Sequence, residues 1–238
     1  MEIFVNNKMS CTFAVKNKKM KKQVLEFLGQ LGENNNREWF QANKKLYEEA
    51  KNEVELSVNA IIPKIAKFDD SIKFVEAKDC LFRIFRDVRF AKDKSPYKIN
   101  MGAWISRAGR KSSGPGYYLH FQPGGSFLSA GVYMPEPDQL KKIRQEIYYN
   151  LTEFKAILSD KTLKKYSNGL ADMDKAKLAP KDFPKDFTDI DLLKYRHYIL
   201  SYPVRDEMIG ADHFIELAGI AFKAMYPLNV FLKRALEE

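Results

Sequence analysis

Five side chains in one short stretch, Arg83, Arg89, Lys94, Tyr97 and Lys98, are the residues best suited to chemistry on a charged partner. Guanidinium and ammonium groups make charge-assisted hydrogen bonds to phosphate and carboxylate, and a tyrosine ring offers a stacking face. Six basic residues lie between Arg83 and Lys98, against Asp87 and Asp93 alone. From Arg83 to Lys111 there are nine basic and two acidic residues, so 9 − 2 = +7 of the chain's formal +9 sits in this segment. Charge so concentrated, with aromatics threaded through it, predicts an anionic ligand. Asp87, between Arg83 and Arg89, is expected to stay ionised and to orient both guanidiniums. If chemistry follows binding, His120 and Asp87 are the candidates for proton transfer.

Other chemistries lack their residues. There is no GxxxxGK[ST] loop, no HExxH, no GxSxG elbow, no GxGxxG after a strand and no aromatic-plus-basic ribonucleoprotein motif. Three scattered histidines and two cysteines, Cys11 and Cys80, form neither a zinc set nor a disulfide framework. No metal and no cofactor is therefore expected, and the reading is of a reduced, cytoplasmic protein. No uncharged apolar run reaches the roughly 18–20 residues of a membrane span, and no membrane partner is expected.

The elements must hold these groups in place. On a strand Leu81–Phe90, residues Phe82, Ile84, Arg86, Val88 and Phe90 share one face, and Arg83, Phe85, Asp87 and Arg89 share the other. Arg86 on an apolar face predicts a buried guanidinium paired with a carboxylate, for instance Glu38. Ala91–Lys98 reads as a loop into a second strand, Ile99–Arg107, and Ser106–Ser113 as a mobile loop or a solvated hairpin tip. Tyr117–Gln122 and Phe127–Met134 are predicted to pair as an antiparallel hairpin turning at Pro123–Ser126. His120 shares a face with Tyr118 and Gln122.

Helical spacing flanks this meander. Met20, Val24, Phe27, Leu28 and Leu31 predict a helix with Gly32 as its C-cap. Asn34, Asn35 and Asn36 offer N-cap acceptors for a long second helix running from Trp39 to Ile65, which Pro63 is expected to kink or end. Trp39 and Phe40 read as its core anchors. Helices return at Pro137–Asn150 and Leu151–Asp160, then at Asp212–Met225 and Leu228–Glu238, with Leu163–Phe187 broken by Gly169, Pro180 and Pro184. Residues 1–18 read as a loose arm or a short strand. With 45% hydrophobic residues the chain can fill a core. The order helices, meander, helices predicts one α+β domain over residues 1–238, its antiparallel sheet having about four or five strands covered by the long helix and the C-terminal helices.

Four blocks carry a family resemblance. Phe27–Lys51 (FLGQLGENNNREWFQANKKLYEEAK), Arg83–Ala103 (RIFRDVRFAKDKSPYKINMGA), Gly116–Arg144 and Leu178–Lys194 together resemble the bacterial family Domain of Unknown Function 2461, over roughly Met20 to Pro203. Asp182 stands where such proteins commonly have glycine, which implies a differently shaped loop. The resemblance implies no activity, substrate or catalytic residue.

The function expected from the residues is recognition of a phosphate-bearing or otherwise anionic ligand, with an enzymatic step left open. A non-catalytic nucleic-acid or protein interaction module would use the same basic surface. An architectural domain would instead spend the Arg/Asp cluster on its own fold.

Overall fold

Between residues 101 and 132 alternate side chains are apolar, as a sheet with one buried face requires. In the computed structural model, which describes residues 22–184 and 186–237, these residues build an antiparallel sheet in the order β1-β2-β3-β4. Its strands are β1 Met101–Ile105, β2 Gly116–Phe121, β3 Phe127–Val132 and β4 Tyr198–Pro203. Tyr117 lies opposite Ile105 and Ala130, and Leu119 opposite Ala103 and Leu128, so one register puts the whole apolar set on one face. The predicted hairpin forms at Gln122–Ser126. There Gly124 takes a positive φ of 65°, the Gly125 N–H donates to the Gln122 carbonyl at 3.0 Å, and the Asp206 carboxylate accepts from the Gly124 N–H at 2.9 Å.

Helices pack around the sheet and against one another. They are α1 (22–33), α2 Arg37–Ala42, α3 Lys44–Ile65, α4 Ala77–Cys80, α5 Pro137–Tyr149, α6 Leu151–Ser159, α7 Ile190–Leu193, α8 Asp206–Ile209 and α9 Phe214–Glu237. The α+β class is as expected. α9 lies against β3 and α3, with Phe222 edge-on to Tyr117 at 5.2 Å and Phe214 edge-on to Phe121 at 6.0 Å. Gly219 lets α9 approach α3 closely, since a Cβ there would stand 3.0 Å from Lys64 Cβ. α9 is long and apolar enough to cross a membrane, yet its Phe214, Phe222, Met225 and Phe231 are buried in this core.

Several boundaries differ from those the sequence predicts. The expected C-terminal pair of helices is the single helix α9, which runs through Pro227. Pro227 and Lys223, whose carbonyl loses its partner, are both exposed, so water can take the freed bond. The long second helix is two, α2 and α3, divided at Asn43, whose side-chain amide donates to the Trp39 carbonyl at 2.9 Å. Pro63 lies within the last turn of α3. Gly32 is not a cap: α1 continues to residue 33, and the Asn34 amide then donates to the Gln30 carbonyl at 3.0 Å. Leu81–Phe90 is not a strand. It makes isolated bridges at Leu81–Ala103 and Phe85–Tyr97. The Arg86 N–H donates to the Pro96 carbonyl at 2.9 Å, but Pro96 has no N–H to return, and the ladder stops there. The expected arm at 1–18, together with Met20 and Cys11, lies outside the described residues.

Candidate anion-binding cleft

Because the ladder stops at Pro96, residues 81–103 fold back on themselves as a finger along the outer edge of β1. Its root is fixed by hydrogen bonds from the Phe82 N–H to the Gly102 carbonyl (3.0 Å) and from the Lys98 N–H to the Ile84 carbonyl (2.8 Å). A side chain from the α1–α2 junction adds a third tie. The Asn35 amide donates to the Tyr97 carbonyl at 3.0 Å, and its oxygen accepts from the Tyr97 N–H at 3.1 Å, as a neighbouring peptide group would. The asparagine block and the basic block therefore meet. Tyr97 is spent in that meeting: its ring is 3% exposed and stacks on Phe40 of α2 at 4.0 Å. It is a core residue and not the stacking face the sequence suggests, because a loop tyrosine's pattern does not reveal a ring lying across from it.

The outer finger is held from within. Arg86 pairs with Asp93, seven residues on, and not with Glu38, which is exposed in the first turn of α2. Without a strand there is no apolar face to bury Arg86, and its side chain keeps 27% exposure. Asp93 also accepts from the Ser95 N–H (2.9 Å) and hydroxyl (2.6 Å), and these bonds, with Arg86, hold its carboxyl well below the usual carboxylate range. Asp87 receives two bonds from the Arg89 guanidinium, at 3.0 and 2.7 Å. Those bonds lower its carboxyl, and Arg83 adds a weaker, longer-range effect. The Lys94 ammonium donates to the Val88 carbonyl at 3.0 Å. Arg89, Lys94 and Asp87 thus have partners inside the finger.

Arg83 and Lys98 remain, and the structure brings them together at the finger's root. With Phe82, Asn100, Gly102 and Tyr118 they line a cleft of about 190 Å³. Neither cation has a carboxylate partner among the described residues. Lys98 lies 5.8 Å from the centre of the Phe82 ring, and burial, then the nearby Arg83 charge, lower the pKa of its ammonium. Gly102 makes the cleft floor. A Cβ there would stand 2.4 Å from the Tyr118 hydroxyl, so only glycine lets that ring lie across β1.

Behind the cleft runs a relay set by the two-residue period of β2. The Tyr118 hydroxyl donates to His120 Nδ1 at 3.0 Å, and His120 Nε2–H donates to Gln122 Oε1 at 3.1 Å. Phe127 stacks on the imidazole at 4.5 Å. Burial lowers the His120 pKa, partly offset by Gln122, and the imidazole is neutral near pH 7. Burial, then Tyr133, pushes the Tyr118 hydroxyl up to about 12. With both ring nitrogens engaged, His120 orients Tyr118, and a proton exchanged between its Nδ1 and the cleft would pass through the Tyr118 hydroxyl. His120 thus reaches the Arg83 cleft through Tyr118, while the other proton-transfer candidate, Asp87, lies out along the finger. Asn100, Gly102 and Tyr118 were not singled out from sequence. The available signal was the shared face of Tyr118, His120 and Gln122.

The Ser106–Ser113 loop connects β1 to β2 as a pinned turn. Ser106 Oγ donates to the Gly109 carbonyl at 2.8 Å, and the Arg110 guanidinium to the Lys78 carbonyl at 3.1 Å. Burial pushes the Cys80 thiol up to about 12. Among the described residues no three His, Cys, Asp or Glu side chains are grouped to hold a metal ion.

Residues 23–231 match a family model described as Conserved hypothetical protein (DUF2461), a span that runs past Pro203 to take in most of α9. No curated protein and no solved structure matches the chain.

Proposed function

We propose that this chain, which belongs to the DUF2461 family of conserved hypothetical proteins, binds a phosphate-bearing ligand whose anionic head enters the Arg83–Lys98 cleft. The observation that carries the reading is the pair of cations, Arg83 and Lys98, facing one cleft with no carboxylate partner among the described residues. Burial, and after it the neighbouring Arg83 charge, penalise the Lys98 ammonium and lower its pKa, and a bound anion relieves that cost. Asn100 adds an amide donor at the same cleft. At about 190 Å³ the space is smaller than the roughly 300–1,000 Å³ of pockets that engulf a whole drug-sized ligand. It suits a phosphate or carboxylate head, with the remainder of the ligand lying over Phe82 and Tyr118.

The architectural reading is favoured for the outer arginines, since Arg86 is paired with Asp93 and Arg89 with Asp87. It leaves Arg83 unexplained. Calorimetric titration with inorganic phosphate and thymidine monophosphate tests the proposal. Arg83→Ala and Lys98→Ala should each weaken binding about tenfold or more, the loss of a charge-assisted contact, while Lys111→Ala on the β1–β2 loop leaves it unchanged. Equal affinity in all three folded variants would put the ligand elsewhere.

A further inference from the structure

The finger continues beyond the cleft, and its outer part has a feature the cleft does not use. Phe90 is 95% exposed, the highest value among the large apolar side chains described. The loop bearing it is tied at Asp93, Ser95, Lys94 and Arg86, so its exposure is a held position. The Arg89 guanidinium lies 5.9 Å from the centre of its ring. Both acidic residues of the finger are engaged internally, Asp87 by Arg89 and Asp93 by Arg86 and Ser95. The field presented outward along the finger is therefore that of Arg83, Lys92, Lys94 and Lys98.

A track of cations ending in a fixed, uncovered aromatic face matches what an unpaired polynucleotide requires: charge for successive phosphates and a ring on which a base can stack. We infer that the finger is a docking edge for single-stranded nucleic acid, with one phosphate in the Arg83–Lys98 cleft, the backbone running outward past Lys94 and Lys92, and a base stacked on Phe90. This rests on the reading of the cleft as a phosphate site. Phe90 lies seven positions on from Arg83, a reach of at most about 23 Å in extended chain. A flexible strand of a few nucleotides touches both points. A duplex keeps its bases stacked on one another and offers Phe90 no free face.

The test is fluorescence anisotropy with labelled oligothymidylates of two, four, eight and sixteen nucleotides, beside calorimetry with thymidine monophosphate. Affinity should rise with length and level off at about four to eight nucleotides. Phe90→Ala should weaken octanucleotide binding about tenfold, leave the mononucleotide unchanged, and be rescued by Phe90→Trp. The double variant R83A/K98A should lose both ligands. Octanucleotide affinity unchanged in Phe90→Ala, with mononucleotide binding intact, would overturn the inference and leave the cleft standing. A loss in Phe90→Ala but none in R83A/K98A would overturn the cleft reading and keep the fingertip. Binding to phosphatidylserine vesicles that Phe90→Ala abolishes, with oligonucleotide binding unaffected, would assign the tip to a membrane surface and overturn the nucleic-acid inference.

Discussion

His120 is neutral near pH 7 because burial penalises its charged form, an effect that the hydrogen bond to Gln122 offsets only in part. Its folded pKa lies below the ordinary 6.5, so in mildly acid solution the unfolded chain binds the proton more readily. The stabilising contribution is complete above about 6.5 and is lost as pH falls through the lower folded value. The urea midpoint should therefore drop between pH 7.5 and 5.5, and His120→Gln should flatten that change. A midpoint equally pH-dependent in the variant would rule His120 out as the source. The carboxylates of Asp87 and Asp93, held low, yield only at more acid pH, so the two effects separate. At this scale the sequence was partly legible. Arg83, Lys98 and His120 stand out by type, and the period of β2 puts Tyr118 beside His120. Asn100 and Gly102 are ordinary residue types whose roles exist only once the finger has folded back. Tyr97 reads as a surface group because nothing local announces Phe40 above it or Asn35 beside it, 62 positions away.

The β2–β3 hairpin was legible because its cues are local: alternating apolar residues on either side of Pro123-Gly124-Gly125. The finger was not. Its apolar alternation resembles a strand, but a ladder needs an N–H from each side, and Pro96 withholds one. The two-helix reading of α9 failed for the converse reason: Pro227 costs a bond on a face where water replaces it, while Leu228, Phe231 and Leu232 continue into the core. The finger's attachment makes its own prediction. Asn35→Ala would leave the Tyr97 N–H and carbonyl without partners at a partly buried position. The expected loss is about 1–3 kcal/mol, measured by urea unfolding, with phosphate affinity falling as the root loosens. An unchanged midpoint would mean that stacking on Phe40 alone holds the root.

Over the whole molecule, charge and apolar surface are segregated. α3 and α9 take the inner face of the sheet, while +7 of the formal +9 lies in the 83–111 segment, 6 − 2 = +4 of it in the finger along the outer edge of β1 and the other three charges, Arg107, Arg110 and Lys111, on the β1–β2 loop. Counterion release then bounds the salt effect. Four outward cations, at about 0.7 per phosphate on a single strand, give a slope near −3 for log affinity against log salt. Anisotropy from about 50 to 200 mM salt checks this, and a slope beyond about −6 would require basic residues outside the finger. Pro96 has a further consequence at this scale. Any open sheet exposes backbone at its outer strands, an invitation for copies of the chain to zip together. Here β4 is overlaid by Leu170 and Ala171, and β1 by Leu81 and Phe82, the start of a ribbon that cannot lengthen past its proline. The residue that spoils the finger as a strand thus also denies it a continuous template for intermolecular pairing.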